Sequence, residues 1–288
     1  MNIAKLLLIG VSSLILSVQT ATPKTLPNPH SQNNRPNPAA SGQDVSRNWS
    51  GYSATSGRFT GVSGDWVVPE IRSGESAYGA DATWVGIGGI ASNDLIQAGT
   101  QSTVTPDGGV SYEAFYETLP DVSQPLSMSI RPGETMHVAL TQTTKDNWHI
   151  LIEDTTTGEQ SSLSIPYNSS LSSAEWIEEA PSGMHNTLPL DNFGSIHFSN
   201  AFAVQNDNSV SLADTKAVPI AMGNGYGQIL ATSSDISQNG NSFQIDRQMA
   251  PAPSEPAYSL ELQRQQITDL LKQFGFSHFR GLRSHLLQ

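Results

Sequence analysis

Between Asn48 and Ile245 the chain alternates between apolar and polar positions in short segments, separated by Gly, Asn, Asp and Pro. Such segments predict half-buried β-strands, because successive side chains of a strand point to opposite faces of its sheet. The clearest are Gly64–Val68, Trp84–Ile87, Tyr112–Thr118, Met136–Gln142, Trp148–Glu153 and Ser195–Val204. This part of the chain shows no convincing helical period. We therefore expect an all-β domain, folded as a two-sheet antiparallel sandwich or a barrel.

One pair of segments also predicts a hairpin. Trp148–Glu153 is followed by the turn-forming residues Asp154–Gly158 and then by the alternating segment Ser161–Ile165. Two alternating segments joined by a short polar turn with glycine are typical of neighbouring antiparallel strands.

The N-terminal residues predict export from the cell. Lys5 precedes an apolar run from Leu6 to Val18, and small residues follow near Ala21, so residues 1–21 are expected to be a signal peptide. The run is short for a membrane span, and we expect a secreted, extracellular protein without stable membrane insertion after cleavage. Residues 22–46 are rich in proline and polar side chains, which predicts a linker or a short pro-segment.

The expected β domain covers residues 47–247, and residues 248–288 form a different C-terminal region. A Pro- and Ala-rich stretch at 250–257 predicts a linker. After it, apolar residues fall near one helical face, which predicts a short amphipathic helical tail; they are Leu260, Ile267, Leu270, Leu271 and Phe274.

Composition narrows the choice of partners and chemistries. Charged residues make up 14% of the chain and the formal net charge at pH 7 is −12. Nucleic-acid binding depends on clustered Lys and Arg, so we expect no nucleic-acid partner. The chain has no cysteine, which excludes disulfides, thiolate metal sites and a cysteine nucleophile. A chain with few basic residues also gains little self-repulsion when its carboxylates are protonated, which makes tolerance of acid plausible.

Several familiar hydrolase motifs are missing. The four histidines of the β domain (His137, His149, His185 and His197) lack the helical spacing of a metalloprotease, so we expect no metal and no cofactor. The Gly-x-Ser-x-Gly string of serine hydrolases is missing too, as are the Asp-Thr-Gly or Asp-Ser-Gly triplets of two-lobed aspartic peptidases.

Two polar strings remain as candidates for chemistry. In a strand spanning Glu175 to Glu179, the residues Glu175, Ile177 and Glu179 share one face, and Trp176 and Glu178 share the other. Paired carboxyl groups on one face suit the wall of a cleft, although an exposed acidic edge strand would show the same pattern. Gln97 follows two aliphatic residues, and its amide offers a neutral N–H donor at any pH. Such a donor could stabilise an oxyanion in acid.

Five strings, in order along the chain, resemble the glutamic peptidases (eqolisins), a family of secreted acid proteases. They are Asn48-Trp49-Ser50-Gly51, Thr83-Trp84-Val85-Gly86-Ile87, Leu95-Ile96-Gln97-Ala98-Gly99, Tyr112-Glu113-Ala114-Phe115-Tyr116-Glu117 and Ala174-Glu175-Trp176-Ile177-Glu178-Glu179. The resemblance covers essentially the whole expected β domain.

The resemblance implies a jelly-roll-like two-sheet sandwich and an endopeptidase that acts on protein or peptide substrates in acid. It implies that Gln97 and Glu179 are the catalytic pair, with Glu179 activating water and Gln97 stabilising the oxyanion. It also implies that Trp84, together with Trp49 and Glu117, contributes to substrate binding. We expect the protein to be a monomer.

The sequence departs from the family pattern near the expected cleft. Gly88 stands where the fungal members have Asp, and Thr118 and Leu119 replace aromatic residues. These changes concern substrate preference rather than the catalytic pair.

Two other classes fit the same strand pattern. A non-catalytic glycan-binding sandwich would use exposed aromatic residues without needing a Glu and Gln pair. A glycosidase would use two carboxyl groups, such as Glu175 or Glu179 with Glu117, at roughly 5–10 Å separation.

Overall fold

The structure, a computed structural model, describes residues 44–71, 79–90, 92–105, 108–182, 188–224 and 226–248. The strands are β1 Asp44–Ser46, β2 Trp49–Ala54, β3 Phe59–Val67, β4 Gly79–Gly88, β5 Leu95–Val104, β6 Val110–Thr118, β7 Gln124–Leu126, β8 Thr135–Thr144, β9 Asn147–Asp154, β10 Gln160–Pro166, β11 Ala174–Glu179, β12 Ser195–Gln205, β13 Asn208–Ser211, β14 Val218–Gly223, β15 Ile229–Ser233 and β16 Phe243–Arg247. Within the described residues the only helical element is a single 3₁₀ turn, Ala213–Thr215. These residues contain no helix long and apolar enough to cross a membrane.

The strands form two sheets that share one long strand. The first sheet has the order β16-β15-β14-β2-β11-β4-β5-β6-β7, and the second has the order β10-β9-β8-β3-β12. β12 pairs with β16 at its start, through Ser195–Phe198, and with β3 further along. The register shifts between Ser199 and Phe202, so an irregularity marks the point where β12 passes from one sheet to the other.

The main hydrophobic core lies between the two sheets. Two tryptophans contribute to it from opposite sides, and each donates its indole N–H across the gap. Trp176 on β11 donates to the Ser63 carbonyl on β3 at 2.8 Å, and Trp66 on β3 donates to the Thr100 hydroxyl on β5 at 2.9 Å. A buried indole N–H needs such a partner, so these bonds let two large apolar groups fill the core without a polar penalty.

The structure confirms the prediction of an all-β, two-sheet fold, in which the named strands pair antiparallel apart from the short β1 with β14. The predicted hairpin is present, because Ser161–Ile165 lies within β10 and pairs with β9. The expected signal peptide at 1–21, most of the Pro-rich segment at 22–46 and the expected helical tail lie outside the described residues.

Three carboxyl groups are buried together on the core-facing side of the first sheet. Asp81, Glu178 and Asp191 are each at most 3% exposed, and Asp81 lies within hydrogen-bonding reach of both partners. The Thr83 hydroxyl donates to Glu178 at 2.7 Å. Burial raises the pKa of Asp81 to about 6, and burial together with the Asp81 charge raises the pKa of Asp191 to about 10 and that of Glu178 well above its ordinary 4.5.

These raised pKa values determine whether the free energy of unfolding rises or falls with pH. A carboxyl group whose pKa is raised by folding contributes stability that is fully present below its unfolded pKa. That contribution is lost as the pH rises through the folded pKa, since the unfolded chain then ionises more readily than the folded one. The three carboxyl groups therefore favour the folded state in acid.

We expect the thermal unfolding midpoint to be highest below about pH 4 and to fall as the pH rises through 6. Asp191→Asn should flatten this decline, because it removes one of the carboxyl groups whose pKa is raised by folding. Asp121→Asn, at an exposed position, is the matched control and should keep the wild-type slope. Calorimetry from pH 3 to 8 measures the effect, and a midpoint that stays flat or rises over this range in the wild type would contradict it.

Candidate active site

The first sheet carries a second apolar cluster on the face turned away from the main core. We call it the outer-face cluster; its buried members are Trp49, Ala82, Trp84, Leu95, Phe115, Ile177 and Ile220. Strand alternation separates the two clusters, because Trp176 and Val85 point into the main core while their neighbours Ile177 and Trp84 point outward. The outer-face cluster is the apolar setting of the candidate catalytic residues.

Glu179 is the last residue of β11 and projects from the outer face. It pairs with Trp49 of β2 on one side and with Ala82 of β4 on the other. Its carboxyl group is fully buried, and each oxygen accepts a hydrogen bond from an uncharged donor. Asn48 Nδ2 donates to Oε1 at 3.0 Å, and Trp84 Nε1 donates to Oε2 at 2.8 Å.

Two glycines lie beside Trp84. A Cβ atom on Gly86 would lie 2.8 Å from the Cζ3 atom of the Trp84 ring, and one on Gly99 would lie 2.0 Å from the Thr83 carbonyl oxygen and 2.7 Å from the Trp84 Cβ atom. The indole therefore lies over Gly86 while its N–H end faces Glu179. Trp49 packs edge-on against it, with ring centroids 5.0 Å apart at 79°.

Gln97 and Glu117 form the second polar pair of this face. They are directly opposite each other on β5 and β6, both are fully buried, and Gln97 Nε2 donates a hydrogen bond to Glu117 Oε2. A carboxyl oxygen that accepts from Nε2 fixes which end of the amide is the donor. Glu117 thereby orients the Gln97 side chain.

β4 lies between β5, which carries Gln97, and β11, which carries Glu179. Gln97 is opposite Gly86, and Glu179 is opposite Ala82, so both project from the same face of the sheet, four positions apart along β4. The Trp84 indole spans this interval, with one end hydrogen-bonded to Glu179 and the other over Gly86.

Two further carboxyl groups share the outer face. Glu175 is fully buried opposite Gly86, and burial raises its pKa well above 4.5. Within the described residues no hydrogen-bond partner of good geometry lies against either of its carboxyl oxygens. Burial also raises the pKa of Glu113, whose Oε1 accepts from Gln101 Nε2 at 3.4 Å.

The strands that carry these residues, β2, β4, β5, β6 and β11, contain no Lys, Arg or His. Among the described residues no group of three or more His, Cys, Asp and Glu side chains is arranged to hold a metal ion. The hydrogen bonds described above for the carboxyl groups Glu179 and Glu117 come from neutral amide and indole donors.

The structure places the five predicted site residues on one face, in two groups. Trp49, Trp84 and Glu179 contact one another, and Gln97 contacts Glu117. Trp84 is fully buried and bonds the candidate base, a contact that its motif alone did not predict. Sequence reasoning missed Asn48, although it begins the Asn48-Trp49-Ser50-Gly51 string.

Comparison with known proteins decides the family. Residues 47–246 match the model of the peptidase A4 family. The chain belongs to this family, the glutamic peptidases. It is therefore a glutamic endopeptidase, a peptide hydrolase, and this finding favours the peptidase interpretation over the glycan-binding and glycosidase alternatives.

Curated relatives and solved structures agree with the family. The chain is 28% identical over 204 residues to aspergillopepsin-2 of Aspergillus niger, covering 62% of this chain and 71% of the relative. It is 30% identical to scytalidopepsin B of Scytalidium lignicola over 192 residues, covering 62% of this chain and 72% of the relative. Scytalido-glutamic peptidase, crystallised with a transition-state analogue inhibitor, is 27% identical with a TM-score of 0.60, over 70% of this chain and 98% of that one.

We expect Trp84→Phe to lower kcat/KM by roughly ten- to a hundredfold, because it removes the hydrogen bond from the indole N–H to Glu179. A hydrogen bond to a charged group is worth about 1.5–3 kcal/mol. Trp148→Phe is the matched control. Trp148 lies on β9 in the second sheet, is equally buried, and donates its indole N–H to the Tyr167 carbonyl at 3.1 Å. That variant should lose stability and keep its turnover. Steady-state kinetics at pH 4 with melting curves tests both, and equal kinetic losses in the two variants would contradict a specific role for Trp84.

Proposed function

We propose that this glutamic peptidase hydrolyses peptide bonds in acid with Glu179 as general base and then general acid, and with Gln97 as the oxyanion donor. The observation that carries the proposal is the setting of Glu179, a buried carboxyl group held by one uncharged donor on each oxygen. A carboxylate supported in this way is fixed in orientation and favoured in its charged form, as a base must be.

Hydrolysis begins with a water molecule between the substrate carbonyl and Glu179. The Glu179 carboxylate removes a proton from the water as its oxygen attacks the carbonyl carbon, and a tetrahedral intermediate forms. The same proton is then passed to the amide nitrogen of the leaving group. The C–N bond breaks, and Glu179 returns to the carboxylate form.

Gln97 acts on the charge that develops during the attack. Its amide donates a hydrogen bond to the oxyanion, and a preorganised donor of this kind is worth about 3 kcal/mol of barrier. Glu117 holds the amide in the required orientation from the neighbouring strand. An amide keeps its donor at every pH, which suits an enzyme that works where carboxyl groups titrate.

The substrates in this proposal are proteins and peptides, and the enzyme acts as a monomer in an acidic extracellular medium. The signal-like residues 1–21 support secretion. The net charge of −12 argues against a nucleic-acid partner. The outer-face cluster, with the partly buried Ile90 and Leu119 packed against it, supports an apolar contribution to substrate binding.

We expect Glu179→Gln to lower kcat by about 100- to 10,000-fold, because the change keeps shape and removes the base. Gln97→Ala should lower kcat by about 100- to 1,000-fold through loss of the oxyanion donor. Glu175→Gln is the discriminating variant, because Glu175 lies on the same strand and face and, like Gln97, is opposite Gly86. With Glu179 as the base, this variant should retain substantial activity.

The assay is cleavage of a chromogenic peptide from pH 2 to 6, with circular dichroism to confirm folding. An inactive Glu175→Gln beside an active Glu179→Gln would show that the base is misassigned. Wild-type turnover in both Glu179→Gln and Gln97→Ala would overturn the proposed mechanism.

A further inference from the structure

Asn48 has contacts that its place in the sequence motif does not explain. It directly precedes β2 and is 5% exposed. Its main-chain carbonyl accepts the Ala180 N–H at 2.8 Å, which extends the pairing of β2 with β11 by one step. This bond places Asn48 beside the end of β11, where its side chain reaches Glu179.

Ser46 determines which end of the Asn48 amide faces Glu179. The Ser46 hydroxyl oxygen accepts the N–H groups of Asn48 at 3.3 Å and Trp49 at 3.1 Å, and its own hydrogen is donated to Asn48 Oδ1 at 3.3 Å. With Oδ1 held by a donor, the NH₂ group must point the other way, towards Glu179 Oε1. A flipped amide would instead place an oxygen against the carboxylate.

We propose that Asn48 is a positioning residue for the catalytic base: its amide, held by Ser46, orients Glu179 and favours the carboxylate form in acid. The inference rests on the role proposed above for Glu179. A fully buried carboxyl group tends to stay protonated, and hydrogen bonds to its charged form oppose that tendency. Asn48 supplies such a bond without carrying a charge of its own.

Glu179 shares its face of the sheet with other carboxyl groups. The carboxyl groups on the same face are Glu175 of β11 and Glu113 and Glu117 of β6, and like charges on them would disfavour the carboxylate. The outward residues of the two strands paired with β11 are uncharged, and Glu178 and Asp81 project from the opposite face.

The charged side chains closest to Asn48 in sequence do not replace its amide. Arg47 and Asp44, on the approach to β2, are both exposed. Solvent screening weakens the influence of such exposed charges. The donors to Glu179 described above, Asn48 and Trp84, are both uncharged side chains.

The test compares the pH dependence of kcat/KM for three variants with that of the wild type between pH 2 and 6. Asn48→Asp keeps the shape of the side chain but places a second carboxyl group against Glu179. The acid limb should move to higher pH by about one unit or more. Asn48→Ala should move the limb in the same direction by less and lower kcat about tenfold with KM little changed. Ser46→Ala should give a smaller shift of the same sign.

Asn208→Asp is the matched control, because it makes the same chemical change at an exposed position on β13. Its pH profile should overlay that of the wild type. Folded Asn48 variants with a wild-type acid limb would overturn the inference. If neither Asn48 variant folds, Ser46→Ala decides: an unshifted limb overturns the inference and a shifted limb supports it.

Glu179→Gln, assayed in parallel, distinguishes a failure of the proposed base from a failure of its positioning by Asn48. Wild-type turnover in Glu179→Gln would refute the proposed base, whatever the Asn48 variants do. An inactive Glu179→Gln combined with unshifted Asn48 variants would leave the base in place and reject only its positioning by Asn48.

Discussion

The hydrogen bonds from Asn48 and Trp84 to the two oxygens of Glu179 are the interactions on which the rest of the site depends. A buried carboxylate is costly unless it is paired or hydrogen-bonded, and the strands around Glu179 provide no positive charge. Neutral donors meet this need at any pH. The lack of a side chain at Gly86 fits the same requirement, since the Trp84 ring occupies the space that a Cβ atom there would need.

Strand β11 serves different purposes on its two faces. Its outward residues include Glu179 in the active site, and its inward residue Glu178 belongs to the buried carboxyl cluster with Asp81 and Asp191. Those carboxyl groups are stable when protonated, and the catalytic carboxylate is proposed to ionise in acid. Both faces of the strand therefore suit an acidic medium.

Alternation along the chain was enough to predict much of the fold. It predicted the β9–β10 hairpin, and it predicted correctly that Glu175, Ile177 and Glu179 would share one face and Trp176 and Glu178 the other. These features depend only on local backbone geometry, since neighbouring side chains of a strand point in opposite directions. The candidate pair Gln97 and Glu179 came from the resemblance to a family.

The contacts that long-range pairing creates could not be predicted in this way. β11 lies between β2 and β4, strands far from it in sequence, and this placement brings Asn48 and Trp84 to Glu179. The burial of Asp81 with Glu178 and Asp191 likewise depends on the order of strands in the sheet. Composition showed an excess of acidic residues but gave no sign of which of them would be buried together.

The proposed mechanism requires Gln97 and Glu179 to act on the same reacting centre. The most direct measurement is a crystal structure grown near pH 4 with a peptide transition-state analogue whose tetrahedral carbon carries two oxygens. We expect one of these oxygens within hydrogen-bonding distance of the Gln97 amide and the other within the same distance of the Glu179 carboxyl group. An analogue bound on the other face of the first sheet, or bound here without contacting either side chain, would contradict it.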